Sequence, residues 1–212
     1  KRGSSPSNNI FKKTNKKGRD LLVSILVDIS ESTNDFIKNT KKTIFSSIIE
    51  STGILSEAIN KSGDDFSLAT FCSNKRDDIR YWKIKNFKEK LNQKHINRLE
   101  SMKPGFSTRL GAALRHSALD LKTQHTQRRL ILVLSDGQPS DIDVKDDKYL
   151  VEDTRYAIHG LAKEGINVFC VALNAPRENN LNRIFGVKNF FHIDDVRTLP
   201  SKLPSLYIRL TS

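Results

Sequence analysis

Cysteine is scarce in this chain of 212 residues, which holds only Cys72 and Cys170. Both sit inside apolar runs, Phe66–Cys72 and Val168–Leu173, with no C-x-x-C pair and no Cys/His grouping. That excludes a disulfide framework and a cysteine-based zinc site, and it predicts two buried free thiols. Glycine is sparse too, at ten residues, and neither G-x-x-x-x-G-K-[ST] nor G-x-G-x-x-G occurs. A glycine-rich cradle for a nucleotide is therefore missing. No apolar run approaches the roughly 18 residues of a membrane-spanning helix. No signal peptide is legible, so a cytoplasmic protein is expected. The five histidines, His95, His116, His125, His159 and His192, are scattered and none is paired at metal or triad spacing.

Hydrophobic residues make up 37% and charged residues 28%, which suits a globular chain able to bury a full core. The formal charge of +12 is unevenly spread. Residues 1–19 hold seven Lys and Arg and no acid, in a Ser/Asn/Lys/Gly-rich stretch with Phe11 as its one aromatic. That composition reads as a basic flexible linker, residues 1–19, ahead of one domain, residues 20–212. Without interleaved aromatics it gives little support to a nucleic-acid-binding role, and none is expected. The chain begins with Lys1 rather than Met and reads as a fragment of a longer protein.

Leu21–Val27 is apolar throughout, as a strand buried on both faces would be. Ile37, Ile44, Ile48, Leu55 and Ile59 follow at helical spacing, with Gly53 expected to weaken or break that helix. Phe66–Cys72 and the more polar Ile79–Lys85 predict a hairpin, the latter at a sheet edge. Residues 88–100 look helical, and a second helical face runs from Leu110 to Leu121. Leu130–Leu134 predicts a strand, 151–164 a helix, Asn167–Leu173 and Asn189–Ile193 two more strands. Leu203, Leu206, Tyr207 and Leu210 predict a final helix with Pro204 in its first turn. Alternating strands and helices imply an α/β, Rossmann-like fold. The expected sheet has six strands in the order 3-2-1-4-5-6, parallel except for the third, with helices on both faces. Cys72 and Cys170 would then stand three strands apart, about 14 Å, too far for a disulfide.

Three separated pieces carry the chemistry. Asp28-Ile29-Ser30-Glu31-Ser32 follows the first strand, Thr108 precedes the Leu110 helix, and Ser135-Asp136-Gly137 follows the fourth strand. In open α/β sheets the ligand crevice lies at the carboxyl ends of strands where the order reverses. Asp28, Ser30, Ser32, Thr108 and Asp136 would converge there as a hard oxygen set for a divalent cation, Mg²⁺ foremost, with Ca²⁺ or Mn²⁺ as alternatives. Each piece has a plainer explanation taken alone: a helix cap for Asp28, Ser30 or Thr108, and a turn for Asp136-Gly137. The joint arrangement favours the ion. With only two carboxylates the ion would keep an open position for a partner's Asp or Glu. Arg109 and Gln138, next to ligand residues, are candidate rim contacts to that partner. Asp28→Ala is expected to abolish partner recruitment and change stability by no more than about 1 kcal/mol.

These pieces are similar to the metal-ion-dependent adhesion site of von Willebrand factor type A domains, which the chain resembles over most of its length. The runs Leu26–Asp35, Pro104–His116, Ser135–Asp143, Tyr149–Arg155, Ile184–Gly186 and Leu203–Tyr207 are similar to the NorD/CbbO family. The resemblance implies the C-terminal domain of a larger adaptor that works with a hexameric MoxR-type AAA+ ATPase. Its CbbO branch implies recruitment of Rubisco for activation, and its NorD branch implies maturation of nitric oxide reductase. Ser107-Thr108-Arg109 leans towards the Rubisco branch, which is favoured, and Pro104-Gly105-Phe106 towards the other. Two rival functions stand beside the adaptor. A hydrolase using Asp28 as nucleophile would want a second carboxylate two residues on, where Ser30 stands. An RNA-binding module would rest mainly on the basic lead.

Overall fold

The computed structural model describes residues 21–124, 128–135, 138–173 and 180–211. The basic lead and Asp136 therefore lie outside the described residues. Six strands form one sheet: β1 (Leu21–Asp28), β2 (Asp65–Ser73), β3 (Ile79–Lys85), β4 (Arg128–Ser135), β5 (Ile166–Leu173) and β6 (Phe190–Ile193). Their order is β3-β2-β1-β4-β5-β6, which is the expected order. Only β3 runs antiparallel, joined to β2 by a tight hairpin. The other pairings are parallel.

Alternate residues of β1 supply opposite faces of the sheet. Val23, Ile25 and Val27 join one core with α1 (Ile44–Ser62), α2 (Gln93–Glu100) and α6 (Leu199–Thr211). Leu22 and Leu26 join the other with α3 (Leu110–Lys122), α4 (Asp147–Lys163) and α5 (Leu181–Phe185). Being covered on both sides is what requires the uninterrupted apolar run. Cys72 and Cys170 lie in different cores, on opposite faces, and both are buried and not disulfide-bonded.

Several boundaries differ from the sequence expectation. Ile37 is not in α1, which starts at Ile44 with the Thr43 side chain accepting the Ser46 amide. Gly53 does not break α1, which runs unbroken to Ser62. Its buried face overrides the local propensity. Ser51, Thr52 and Ser56 hide their hydroxyls by donating to carbonyls four residues back, at 2.6–2.8 Å, so this Ser/Thr-rich face packs on the sheet without orphan donors. α2 is shorter than 88–100 and begins after Asn92, which with His95 forms a reciprocal cap. Pro204 sits in the second turn of α6 and not the first, because the helix starts four residues before Leu203.

Candidate metal centre and its surround

β1 and β4 are neighbours, with Val27 registered against Leu134, so Asp28 and Ser135 end side by side. The chain leaves β1 towards β2 on one side while β4 lies on the other, which makes this the point where the strand order reverses. The Asp28 carboxylate is fully buried there. Its Oδ1 accepts the Ser30 amide at 2.9 Å and its Oδ2 accepts the Ser135 hydroxyl at 2.7 Å. The Thr108 hydroxyl reaches both oxygens, at 3.3 and 3.2 Å. Ser30 and Ser32 share a hydrogen bond, Oγ to Oγ, at 3.2 Å. The structure thus joins the Thr108 and Ser135 hydroxyls to the Asp28 carboxylate and the Ser30 hydroxyl to that of Ser32, the two groups being linked through the Ser30 amide. Asp136, the fifth expected ligand, lies outside the described residues.

The capping explanations can be checked directly. Ser30 occupies the cap position of the 3-10 turn Glu31–Asn34, yet its hydroxyl makes no cap bond. The residue capping α3 is Arg109, without a side-chain bond, and the Thr108 hydroxyl points to Asp28 instead. The hydroxyls are therefore directed at one another and not at helix ends. Their spacing is that of long hydrogen bonds and overlaps the spacing of oxygens around a cation. Hydroxyl-to-oxygen hydrogen bonds cluster near about 2.7–2.8 Å. Adjacent oxygens of an octahedron are about 3.0 Å apart around Mg²⁺ and about 3.4 Å apart around Ca²⁺, from ion–oxygen distances of about 2.1 and 2.4 Å. The Ser30–Ser32 and Thr108–Asp28 separations of 3.2–3.3 Å fall within that span. The donor set is hard oxygen throughout. Among the described residues no group of three or more His, Cys, Asp or Glu side chains is arranged to hold a metal ion, at this site or elsewhere.

The loops bearing these groups are tied by a second cluster that sequence reasoning missed. Asp141 has a fully buried side chain. One of its oxygens accepts the Ser73 hydroxyl at 2.9 Å and Arg109 Nε at 2.7 Å, the other the amides of Lys75 at 3.0 Å and Ile142 at 2.7 Å. It joins the β2–β3 turn, the entrance to α3 and the segment after β4. Arg109 also pairs with Asp143. Arg109, expected at a partner-facing rim, is in fact 8% exposed and held inward. Burial opposes its charge, but the Asp141 and Asp143 carboxylates outweigh that and hold its pKa above the ordinary arginine value. Desolvation likewise acts against the Asp143 charge, and the Arg76 amide and Arg109 outweigh it, so its pKa lies below the usual Asp value. The available signal was the run Ser140-Asp141-Ile142-Asp143 beside an arginine that directly follows Thr108. Backbone bridges Ser73–Ser107 and Thr108–Ser140 complete the ledge. Gln138 is exposed.

A profile of the von Willebrand factor type A domain matches residues 23–204. The chain is 32% identical over 205 residues to a Brucella suis protein called Protein NorD, covering 97% of this chain and 32% of that one. It is 30% identical over 188 residues to Protein NorD of Stutzerimonas stutzeri, covering 89% of this chain and 31% of that one. The chain thus spans about a third of the length of these curated relatives. Among solved structures, the VWA domain of SpRpn10 superposes with a TM-score of 0.63 at 14% identity, over 86% of this chain and 92% of that one. The PilB minor pilin of Streptococcus sanguinis gives 0.69 at 14% identity, over 92% and 62%. At such identities the likeness is one of fold.

Proposed function

The chain belongs to the von Willebrand factor type A domain family, and from that premise we propose that it is a non-enzymatic, metal-dependent protein-binding module of an adaptor or maturation factor. The observation that supports this reading is the buried Asp28 carboxylate bonded to the Thr108 hydroxyl, beside the Ser30–Ser32 hydroxyl pair, with neither Ser30 nor Thr108 making a helix-cap bond. These four would hold the cation, with Asp136 as the expected fifth. The bound ion would supply a Lewis-acidic position for a carboxylate from the partner. The chain's own part is to keep one buried charge and several hydroxyls in place, leaving the set short of acid. A hydrolytic role is less well supported, because Ser30 stands where a second carboxylate two residues after Asp28 would be wanted.

The longer protein would work in the cytoplasm with a MoxR-type AAA+ ATPase and present a client to it. Residues Ser107-Thr108-Arg109 support Rubisco as that client. The NorD names of the relatives support a second reading, in which the client is nitric oxide reductase. Both readings use the same site. Among the described residues no helix is long and apolar enough to cross a membrane. The test is retention of purified Rubisco or purified nitric oxide reductase on the immobilised protein, in Mg²⁺ and in EDTA. Retention of one client in Mg²⁺ and its release by EDTA is the expected result. Retention unaffected by EDTA would remove the ion from the mechanism.

A further inference from the structure

Gly53 stands in the middle of α1, where glycine costs stability against alanine. The fold gives no reason for it. Its φ is not positive, and a Cβ at this position would meet nothing within 4 Å. What Gly53 does is open the floor of a groove between α1 and α2. Phe45, Ile49 and Ile54 line that groove from α1, and Ile96 and Leu99 from α2, around a space of about 440 Å³. This is the size of a small ligand pocket. Ile54 is 41% exposed, and Phe45 and Ile96 are half-buried, so the apolar walls are open to an incoming side chain.

We propose that this groove seats the chain's own basic lead, with Ile10-Phe11 lying over Gly53. The tether selects this occupant. β1 begins at Leu21, and Leu22 is registered against Asp65, three residues after α1 ends at Ser62. Gly53 lies nine residues back up that helix, about 14 Å of rise. Ten residues separate Phe11 from Leu21 and span up to about 33 Å. Phe11 can therefore cross to the groove with chain to spare. A segment tethered this closely has an effective concentration of about 1 mM, so a seat too small to hold a free peptide tightly can still hold it. Composition agrees. Ile10 and Phe11 are the only large apolar residues among residues 1–19, and Lys12, Lys13, Lys16 and Lys17 follow them. Charge adds little by itself. The ionisable residues lining the groove are Glu50, Glu57 and Glu100, but Glu50 pairs with Lys42 at 2.9 Å and Glu57 lies 4.0 Å from Lys61. The rim accepts the lysines of the lead without selecting them. The docking is independent of the metal reading.

The test is limited trypsin digestion of the full 212-residue chain under native conditions, with cleavage after Lys12, Lys13, Lys16 and Lys17 followed by mass spectrometry. Phe11→Ser removes the anchor and leaves residues 20–212 unchanged. Gly53→Leu fills the seat with a better helix former, and Ile54→Lys sets a charge in its wall. Open space at Gly53 and the exposure of Ile54 should keep both variants near wild-type thermal stability. Cleavage follows the population of undocked lead, so each of the three changes should speed it at least about five-fold. Equal rates in wild type and Phe11→Ser would overturn the docking. Acceleration by Phe11→Ser that either folded groove variant fails to share would overturn the seat and put the lead elsewhere. Protection of the lead that grows with protein concentration would give the groove to a second copy and overturn the tether.

Discussion

Removing the Asp141 carboxylate should be among the most damaging single changes near the site. Asp141→Ala takes the acceptor from Ser73 Oγ, from the Lys75 and Ile142 amides and from Arg109 Nε. The Asp141 side chain is 0% exposed and that of Arg109 10%. Breaking a buried ion pair from one side costs about 3–5 kcal/mol, because the remaining charge stays buried. Arg109 keeps Asp143, a partner at 29% side-chain exposure, which trims the loss. An estimate of about 3 kcal/mol follows, a large part of the roughly 5–15 kcal/mol that holds a domain together. The same physics predicts a rescue. Replacing both partners by apolar residues of similar size, Asp141→Leu with Arg109→Met, removes the stranded charge and should be less destabilising than Asp141→Ala alone. Urea unfolding with a constant slope measures both. An Asp141→Ala variant within about 0.5 kcal/mol of wild type would refute the reasoning, as would a double variant clearly less stable than the single.

Gly111→Ala should destabilise although alanine favours helices. A Cβ there would collide with the Asp153 carboxylate, forcing it off Arg115, and would stand 3.2 Å from the Asp153 backbone carbon, so α4 must give slightly, at about 1–3 kcal/mol in a thermal melt. Burial pushes the Cys72 thiol up to about 11 from 9.0, so thiol reagents at pH 8 should leave it unmodified until the chain unfolds. The sign of the linkage follows. The unfolded thiol ionises first, so this contribution to stability is complete below pH 9.0 and is lost as pH rises towards about 11. Asp28→Ala should cost more than the 1 kcal/mol expected from sequence. It strips the acceptor from the Ser30 amide and the Thr108 and Ser135 hydroxyls, which predicts a loss of about 1–3 kcal/mol in metal-free denaturation.

What could be read in the sequence divides along physical lines. The apolar run of β1 and the alternation of strands and helices mark an α/β sheet covered on both faces, while the order of its strands came with the family resemblance. Asp28, Ser30, Ser32 and Thr108 stood out because strand ends and helix starts mark positions, and the structure pairs Thr108 with Asp28 and Ser30 with Ser32. The Asp141–Arg109–Ser73 cluster was hidden because its members lie 32 and 68 residues from Asp141, and no local periodicity links them. That is also why Arg109 was expected at the rim. Its sequence neighbour Thr108 is at the site, but the ion pairs that turn it inward are tertiary. Phe106 shows the converse, a local feature, a φ of 68°, that only the backbone exposes. Gly53 misled because helix propensity is small beside the burial of a nineteen-residue helix.

The central claim is that these oxygens hold a divalent cation, and calorimetric titration of Mg²⁺ into the protein and into Ser32→Ala tests it most directly. Ser32 is exposed, so the substitution should shift stability by no more than about 0.5 kcal/mol and leave the fold intact. The account predicts one saturable Mg²⁺ site per chain in the wild type and a site weakened at least about ten-fold in Ser32→Ala, a difference of about 1.4 kcal/mol. A wild type with no saturable heat, or a variant that binds Mg²⁺ as tightly as the wild type, would contradict it.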